Sequence, residues 1–124
     1  AHRGGPWPVH CVQDTPGGAF HADLALPEET IRVSKACAFD ADAYSAFDGT
    51  GLADYLRDRG IGRVIVCGLA LDVCVKATAL EAAREGFTTL LLAPLCAAVE
   101  PGAADAVRRE LEAAGVAIVD EAAP

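Results

Sequence analysis

The segment RVIVCGLALDVCVKATALEAAR, residues 63–84, decides the fold. Arg63 to Cys67 is a short run of mostly apolar, β-branched residues, the composition of a buried parallel strand. Val75 to Arg84 is rich in Ala and other strong helix formers, and Gly86 stops it. Gly68 to Cys74 therefore joins a strand to a helix. Cys74 lies at the helix entrance, where unpaired N–H groups and the helix dipole favour a thiolate. The same N–H groups can hold an oxyanion as it forms in acyl transfer. The plain alternative for Cys74 is a buried structural thiol. Against it stands its place at the carboxyl edge of the sheet, where open parallel sheets bind their ligands. Asp72 reads as a helix N-cap, and Cys67, inside the strand pattern, as a core residue.

The pattern continues outward on both sides. Residues Ala1 to Pro27 are rich in Gly, Pro and His and read as loop. Thr30 to Ser34 (TIRVS) reads as a short strand. Gly51 to Arg59 reads as a helix with Leu52, Tyr55 and Leu56 on one face and Gly60 as its stop. Thr88 to Ala93 reads as a strand, Pro101 to Ala114 as a helix closed by Gly115, and Val116 to Val119 as the last strand. No internal repeat is visible. The alternation predicts an α/β fold: a three-layer (αβα) Rossmann-like parallel sheet in one domain spanning residues 1–124. In such a sheet the loops after Ser34 and after Cys67 are the places to look for a site.

Composition narrows the function classes. The chain has 124 residues, 52% hydrophobic and 23% charged, so it can bury a core and is not expected to be disordered. Its net charge is −8 with no Lys/Arg block, which argues against nucleic acid and anionic membranes as partners. No signal-like start or membrane-length apolar run appears, and Thr89 to Leu95 is too short to span. Five cysteines, Cys11, Cys37, Cys67, Cys74 and Cys96, include no CxxC pair, which fits neither a disulfide framework nor a zinc site. Reduced, mostly buried thiols in a cytoplasmic protein are expected.

Two further features carry chemistry. Lys35 ends the TIRVS run. The plain reading is a surface lysine with a snorkelling stem; the functional one is a cation beside a thiol. In Trp7-Pro8-Val9-His10-Cys11, Trp7 reads as a core anchor and His10 as either a structural histidine or a metal ligand. His2 and His21 have no supporting pattern.

Together these stretches resemble a known family. Trp7-Pro8-Val9-His10-Cys11-Val12-Gln13-Asp14-Thr15-Pro16-Gly17, ending in Phe20-His21, is similar to the WPxHCVxGTPGxxFH segment of nicotinamidases (pyrazinamidases) of the isochorismatase-like cysteine hydrolases. Lys35 followed by Asp42-Ala43-Tyr44-Ser45-Ala46-Phe47 resembles that family's lysine and YSxF loop. Gly68-Leu69-Ala70-Leu71-Asp72-Val73-Cys74-Val75, then Thr78-Ala79-Leu80 and Ala83, resembles its GLATDxCVxxTAxDA nucleophile segment. The three stand in family order, and the similarity runs to Ala117.

The resemblance implies an isochorismatase-like hydrolase fold and a role for each matching residue. Cys74 is the implied nucleophile on a carboxamide carbon and Lys35 the cation of its triad. The backbone N–H groups of Ala70 and Cys74 form the implied oxyanion hole, with the Leu69–Ala70 peptide cis. Trp7 and Tyr44 wall the substrate ring, and His10 is one ligand of a divalent metal (Zn, Fe or Mn). The implied reaction is hydrolysis of nicotinamide, or a close small aromatic amide, through a thioester to nicotinic acid and ammonia, a step of NAD salvage. Self-association into a homo-oligomer is also implied.

Departures from the family pattern qualify these expectations. Members carry a general-base Asp on a first strand and an Asp-x-His pair of metal ligands in a second segment. Neither is found in these residues, because Asp14, Asp40, Asp42 and Asp72 match other parts of the pattern. The domain is therefore expected to be N-terminally incomplete, a fragment with impaired amidase activity and weakened or absent metal binding. The alternatives are another isochorismatase-family hydrolase or a non-catalytic fragment. Asp14 stands where Gly is usual, Ala36 where Gly is common, and Leu71 where the motif has Thr.

Overall fold

The apolar run that opens the deciding segment forms strand β1 (Arg63–Leu69), and the Ala-rich stretch after it forms helix α2 (Lys76–Arg84). A computed structural model of the chain describes residues 7–8, 10–11, 13–35 and 43–121. Ahead of β1 lie a 3-10 turn at Pro16–Gly18 and helix α1 (Leu52–Asp58). Beyond α2 come strand β2 (Thr88–Ala97), a 3-10 turn at Pro101–Ala103, helix α3 (Ala104–Ala113) and strand β3 (Ala117–Val119). The three glycines read as helix stops, Gly60, Gly86 and Gly115, all have positive φ.

The strands form one parallel sheet in the order β1-β2-β3, as expected of an α/β chain. Crossovers of one hand that step the sheet in one direction leave their helices on the same face. The core follows from that arrangement. Leu71 and Val75 from the turn before α2, Ala79 of α2, and Val107 and Leu111 from α3 close over Leu91 of the central strand and Val116. Val66 and Ile118, on the strands flanking β2, pack against this cluster. Leu91 and Leu111 are fully buried.

Three expectations change here. Strand β1 is not buried on both faces: its exposure alternates along its length, with Ile65 52% and Leu69 75% exposed. In the three-stranded sheet β1 is an edge strand, and among the described residues the core cluster lies on the face to which Val66 points. Cys67 points out on the opposite face and is exposed rather than a core residue, and Cys11 is exposed as well. Thr30 to Ser34 forms no strand; it is an exposed segment, with Ile31 57% exposed. β propensity is realised only against a neighbouring strand, and the three-stranded sheet does not include this segment.

β2 runs past its expected end at Ala93 to Ala97 because its pairing with β1 resumes after an irregularity. Val66 pairs with Leu91, but Gly68 pairs with Cys96. The extra residues of β2 in this gap include Pro94, which has no N–H to give to a ladder. The bulge carries the end of β2 alongside the turn that leads into α2.

Core and edge predict different mutational costs. Leu111→Ala, at a fully buried position, is expected to lower stability by about 2–5 kcal/mol. Leu69→Ala, at an exposed edge, is expected to change it by less than about 0.5 kcal/mol. Urea midpoints of the two variants check this; equal losses would contradict the placement of the core.

Candidate active site

The turn from β1 into α2 is built on backbone geometry that few sequences tolerate. Gly68 has φ 115°, a value L side chains rarely adopt, with open space where a Cβ would stand; glycine is needed for conformation, not for room. The next peptide, Leu69–Ala70, is cis. The chain then enters a single π turn, Leu71–Val75, which leads into α2. The carbonyl of Ala70 accepts from the amides of Val73 at 3.1 Å and Val75 at 3.0 Å. Leu71 and Val75 turn into the core, while Cys74 between them is half-buried. Leu71, the departure from the motif's Thr, is thus a core-facing side chain.

Lys35 reaches this turn from a distant part of the chain. Its Nζ donates to Cys74 Sγ at 3.4 Å and to the carbonyl of Ala43 at 2.8 Å. The loop at 43–46 is itself fixed: the Ala46 amide donates to Thr78 Oγ1 of α2 at 2.9 Å. Within the loop, the buried Ser45 accepts from the Phe47 amide through Oγ at 3.1 Å. Tyr44 on the same loop accepts a hydrogen bond from Trp7 Nε1 at 2.9 Å. The structure thus joins Cys74 to Lys35 and Trp7 to Tyr44.

His10 lies in the same N-terminal loop as Trp7 and is exposed. Its Nδ1 is 2.6 Å from the carbonyl of Pro8. A carbonyl can only accept, so Nδ1 carries the proton and Nε2 of the neutral ring keeps its lone pair.

The family model of the isochorismatase domain matches residues 1–123 of the chain. The chain belongs to the isochorismatase family.

Within the family it is 37% identical over 117 residues to a nicotinamidase of Acinetobacter baylyi, covering 89% of this chain and 55% of that protein. The crystal structure of the pyrazinamidase of Pyrococcus horikoshii in complex with zinc superposes with a TM-score of 0.89 at 44% identity, covering 96% of this chain and 65% of that one. That of PnC1 from L. infantum in complex with nicotinate superposes with a TM-score of 0.87 at 44% identity, covering 94% and 61%. The chain thus spans somewhat over half the length of these family members.

Other side chains in this isochorismatase domain differ from their expected roles. Asp72 does not cap the helix: the π turn has no side-chain cap. Its carboxylate instead accepts from the amides of Val99 at 2.8 Å and Glu100 at 3.0 Å, on the loop after β2. Those two amides, Val99 first, hold the carboxyl below its ordinary range. Asp14, where the family has Gly, sits at φ 62°, a left-handed position that Asp tolerates better than most residues. The half-buried Cys96 donates to the Leu92 carbonyl at 3.3 Å, and burial pushes its thiol up, which keeps it protonated. Cys37, Asp40, Asp42, Ala36 and His2 lie outside the described residues.

A divalent metal requires several donors around one point. His10 offers one, through Nε2, but no group of three His, Cys, Asp or Glu side chains capable of holding a metal ion occurs among the described residues. No helix among the described residues is long and apolar enough to cross a membrane.

Sequence reasoning missed what Asp72 and Thr78 hold. Both fall in the nucleophile segment, but nothing in a linear pattern says that one reaches the loop at 99–100 and the other the loop at 43–46. Because the Asp72 carboxyl is depressed in the folded state, its contribution to stability is full above the ordinary carboxylate range and is lost as pH falls through the folded value. Asp72→Asn is accordingly expected to be less stable than the parent at neutral pH, with the gap closing below about pH 4. Denaturant midpoints measured across pH check the sign; a gap that widens in acid would contradict it.

Proposed function

We propose that the chain carries the nucleophile and substrate-ring side of a nicotinamidase-type amidohydrolase site. The observation that carries this reading is the 3.4 Å contact between Lys35 Nζ and Cys74 Sγ at the mouth of the cis turn. The identity to a nicotinamidase and the likeness to a structure holding nicotinate support the choice of substrate.

Cys74 attacks the carboxamide carbon of nicotinamide. A carbon–sulfur bond forms, the carbon–nitrogen bond breaks, and the thiol proton leaves with the nitrogen as ammonia. Water then cleaves the thioester, giving nicotinic acid and restoring the thiol. Lys35 donates to the sulfur and orients it for the attack. The N–H groups of Ala70 and Cys74 receive the developing oxyanion; the engagement of the Ala70 carbonyl with Val73 and Val75 supports this by fixing the turn. The Trp7–Tyr44 pair walls the pyridine ring.

His10 is a ligand available to a divalent metal, zinc being the ion in the pyrazinamidase relative's structure. A metal there would orient the ring through its nitrogen; no step above passes through it. On this reading the reaction belongs to cytoplasmic NAD salvage and the chain acts as a homo-oligomer.

Ammonia release from nicotinamide is the test. Cys74→Ala is expected to bring turnover below detection, and Lys35→Ala to lower it by about 100- to 10,000-fold. Cys67→Ala and Cys96→Ala are expected to retain turnover. Turnover retained in Cys74→Ala would remove the nucleophile assignment. Faster release from an aliphatic amide than from nicotinamide would point to another hydrolase of the same family.

A further inference from the structure

We infer that Thr78 is a positioning residue that holds Lys35 against Cys74 by anchoring the loop at 43–46. The inference rests on the reading of Cys74 and Lys35 as the reacting pair. It starts from the weakness of a lysine as a fixed group: a flexible four-carbon stem holds its amine in place only where acceptors fix it. Here the amine donates to the Cys74 sulfur at 3.4 Å and to the Ala43 carbonyl at 2.8 Å. The carbonyl can set the amine's position only as firmly as its own loop is held.

That loop is tied back to the helix that follows the sulfur. The Ala46 amide donates to Thr78 Oγ1 at 2.9 Å, and Thr78 stands four residues after Cys74 on the same helical run. Residues four apart share a helix face. The contacts therefore close a ring: sulfur, lysine amine, Ala43 carbonyl, loop, Ala46 amide, Thr78 hydroxyl, and back along the helix to the sulfur. The loop is braced internally by the Thr50 hydroxyl donating to the Ala46 carbonyl at 2.6 Å. Apolar packing beside the tie comes from Phe47, whose ring stacks on the buried Phe87 with centroids 6.0 Å apart. An open surface groove whose lining includes Tyr44, Ser45, Ala77 and Leu80 runs between the loop and the helix. The Thr78 bond adds what the ring contact does not, a directional tie from the loop to the helix that follows the sulfur. Since Tyr44 lies between Ala43 and Ala46, the same bond also sets the aromatic wall.

The test reads the sulfur directly and needs no turnover. In a Cys67→Ala background, the rate of iodoacetamide alkylation of Cys74 at neutral pH is followed by peptide mass spectrometry. Thr78→Val keeps the shape and removes the acceptor; it is expected to slow alkylation by about five-fold. Thr78→Ser is expected to restore the rate to within about two-fold. Lys35→Ala is expected to slow it at least as much as Thr78→Val. Adding Thr78→Val to Lys35→Ala is expected to slow it no further, because the two act through one path.

An unchanged rate in Thr78→Val, equal slowing by Val and Ser, or additive slowing in the double variant would each overturn the positioning role. An unchanged rate in Lys35→Ala would instead remove the lysine from the proposed site, and the two failures are thereby told apart. The double variant also separates positioning from a general loss of fold, which would expose the half-buried sulfur and change the rate whether or not the lysine is present.

Discussion

Leu71 and Val75 enter the core from the two ends of one π turn, and that constraint governs the rest of the structure. With both buried, Cys74 between them is held at the carboxyl edge of the sheet, half-open to the loops. The backbone before the turn is shaped to allow this, through positive φ at Gly68 and the cis peptide after it. One burial event therefore closes the core over Leu91 and fixes where the sulfur stands. Fold and candidate site are coupled through these residues, so a change to the apolar side of the turn acts on the chemistry as well as on stability.

Around the turn, three segments are tied to it by polar contacts as well as by packing. Asp72 holds the loop at 99–100, Thr78 holds the loop at 43–46, and Lys35 reaches the sulfur itself. The division of labour has a physical reason. The helix face that points at the sheet is spent on apolar burial, so the residues of the same segment that point elsewhere are free to bond to backbone. Hydrogen bonds to backbone amides fix a loop at definite distances without requiring it to bury apolar surface.

The order of strands and helices was legible in the sequence because β1, α2, β2, α3 and β3 differ plainly in period and carry glycine stops. Cys74 and Lys35 were legible only jointly, through family resemblance; a lone cysteine and a lone lysine have ordinary readings. Two kinds of fact were not legible. Burial of β1 depends on which face the crossovers cover, and Ile65, Cys67 and Leu69 look the same in sequence whether a layer lies above them or not. Partner choice by short polar side chains depends on loop paths: Asp72 satisfied the pattern of an N-cap and in fact serves another loop. The TIRVS run had the composition of a strand, yet composition cannot supply a neighbour to pair with. Asp14 shows the reverse case, a departure from the family's Gly that the fold accommodates at φ 62°.

The central claim is that Cys74 adds to the carbonyl carbon of a pyridine carboxamide. An aldehyde in place of the amide stops that reaction after addition, so it reports the sulfur's attack alone. Carbon-13 NMR of nicotinaldehyde labelled at its carbonyl carbon is the most direct measurement. The account predicts a protein-bound signal in the tetrahedral thiohemiacetal region with the parent chain and its absence with Cys74→Ala. The same bound signal in Cys74→Ala, or a free-aldehyde spectrum with the parent chain, would contradict it.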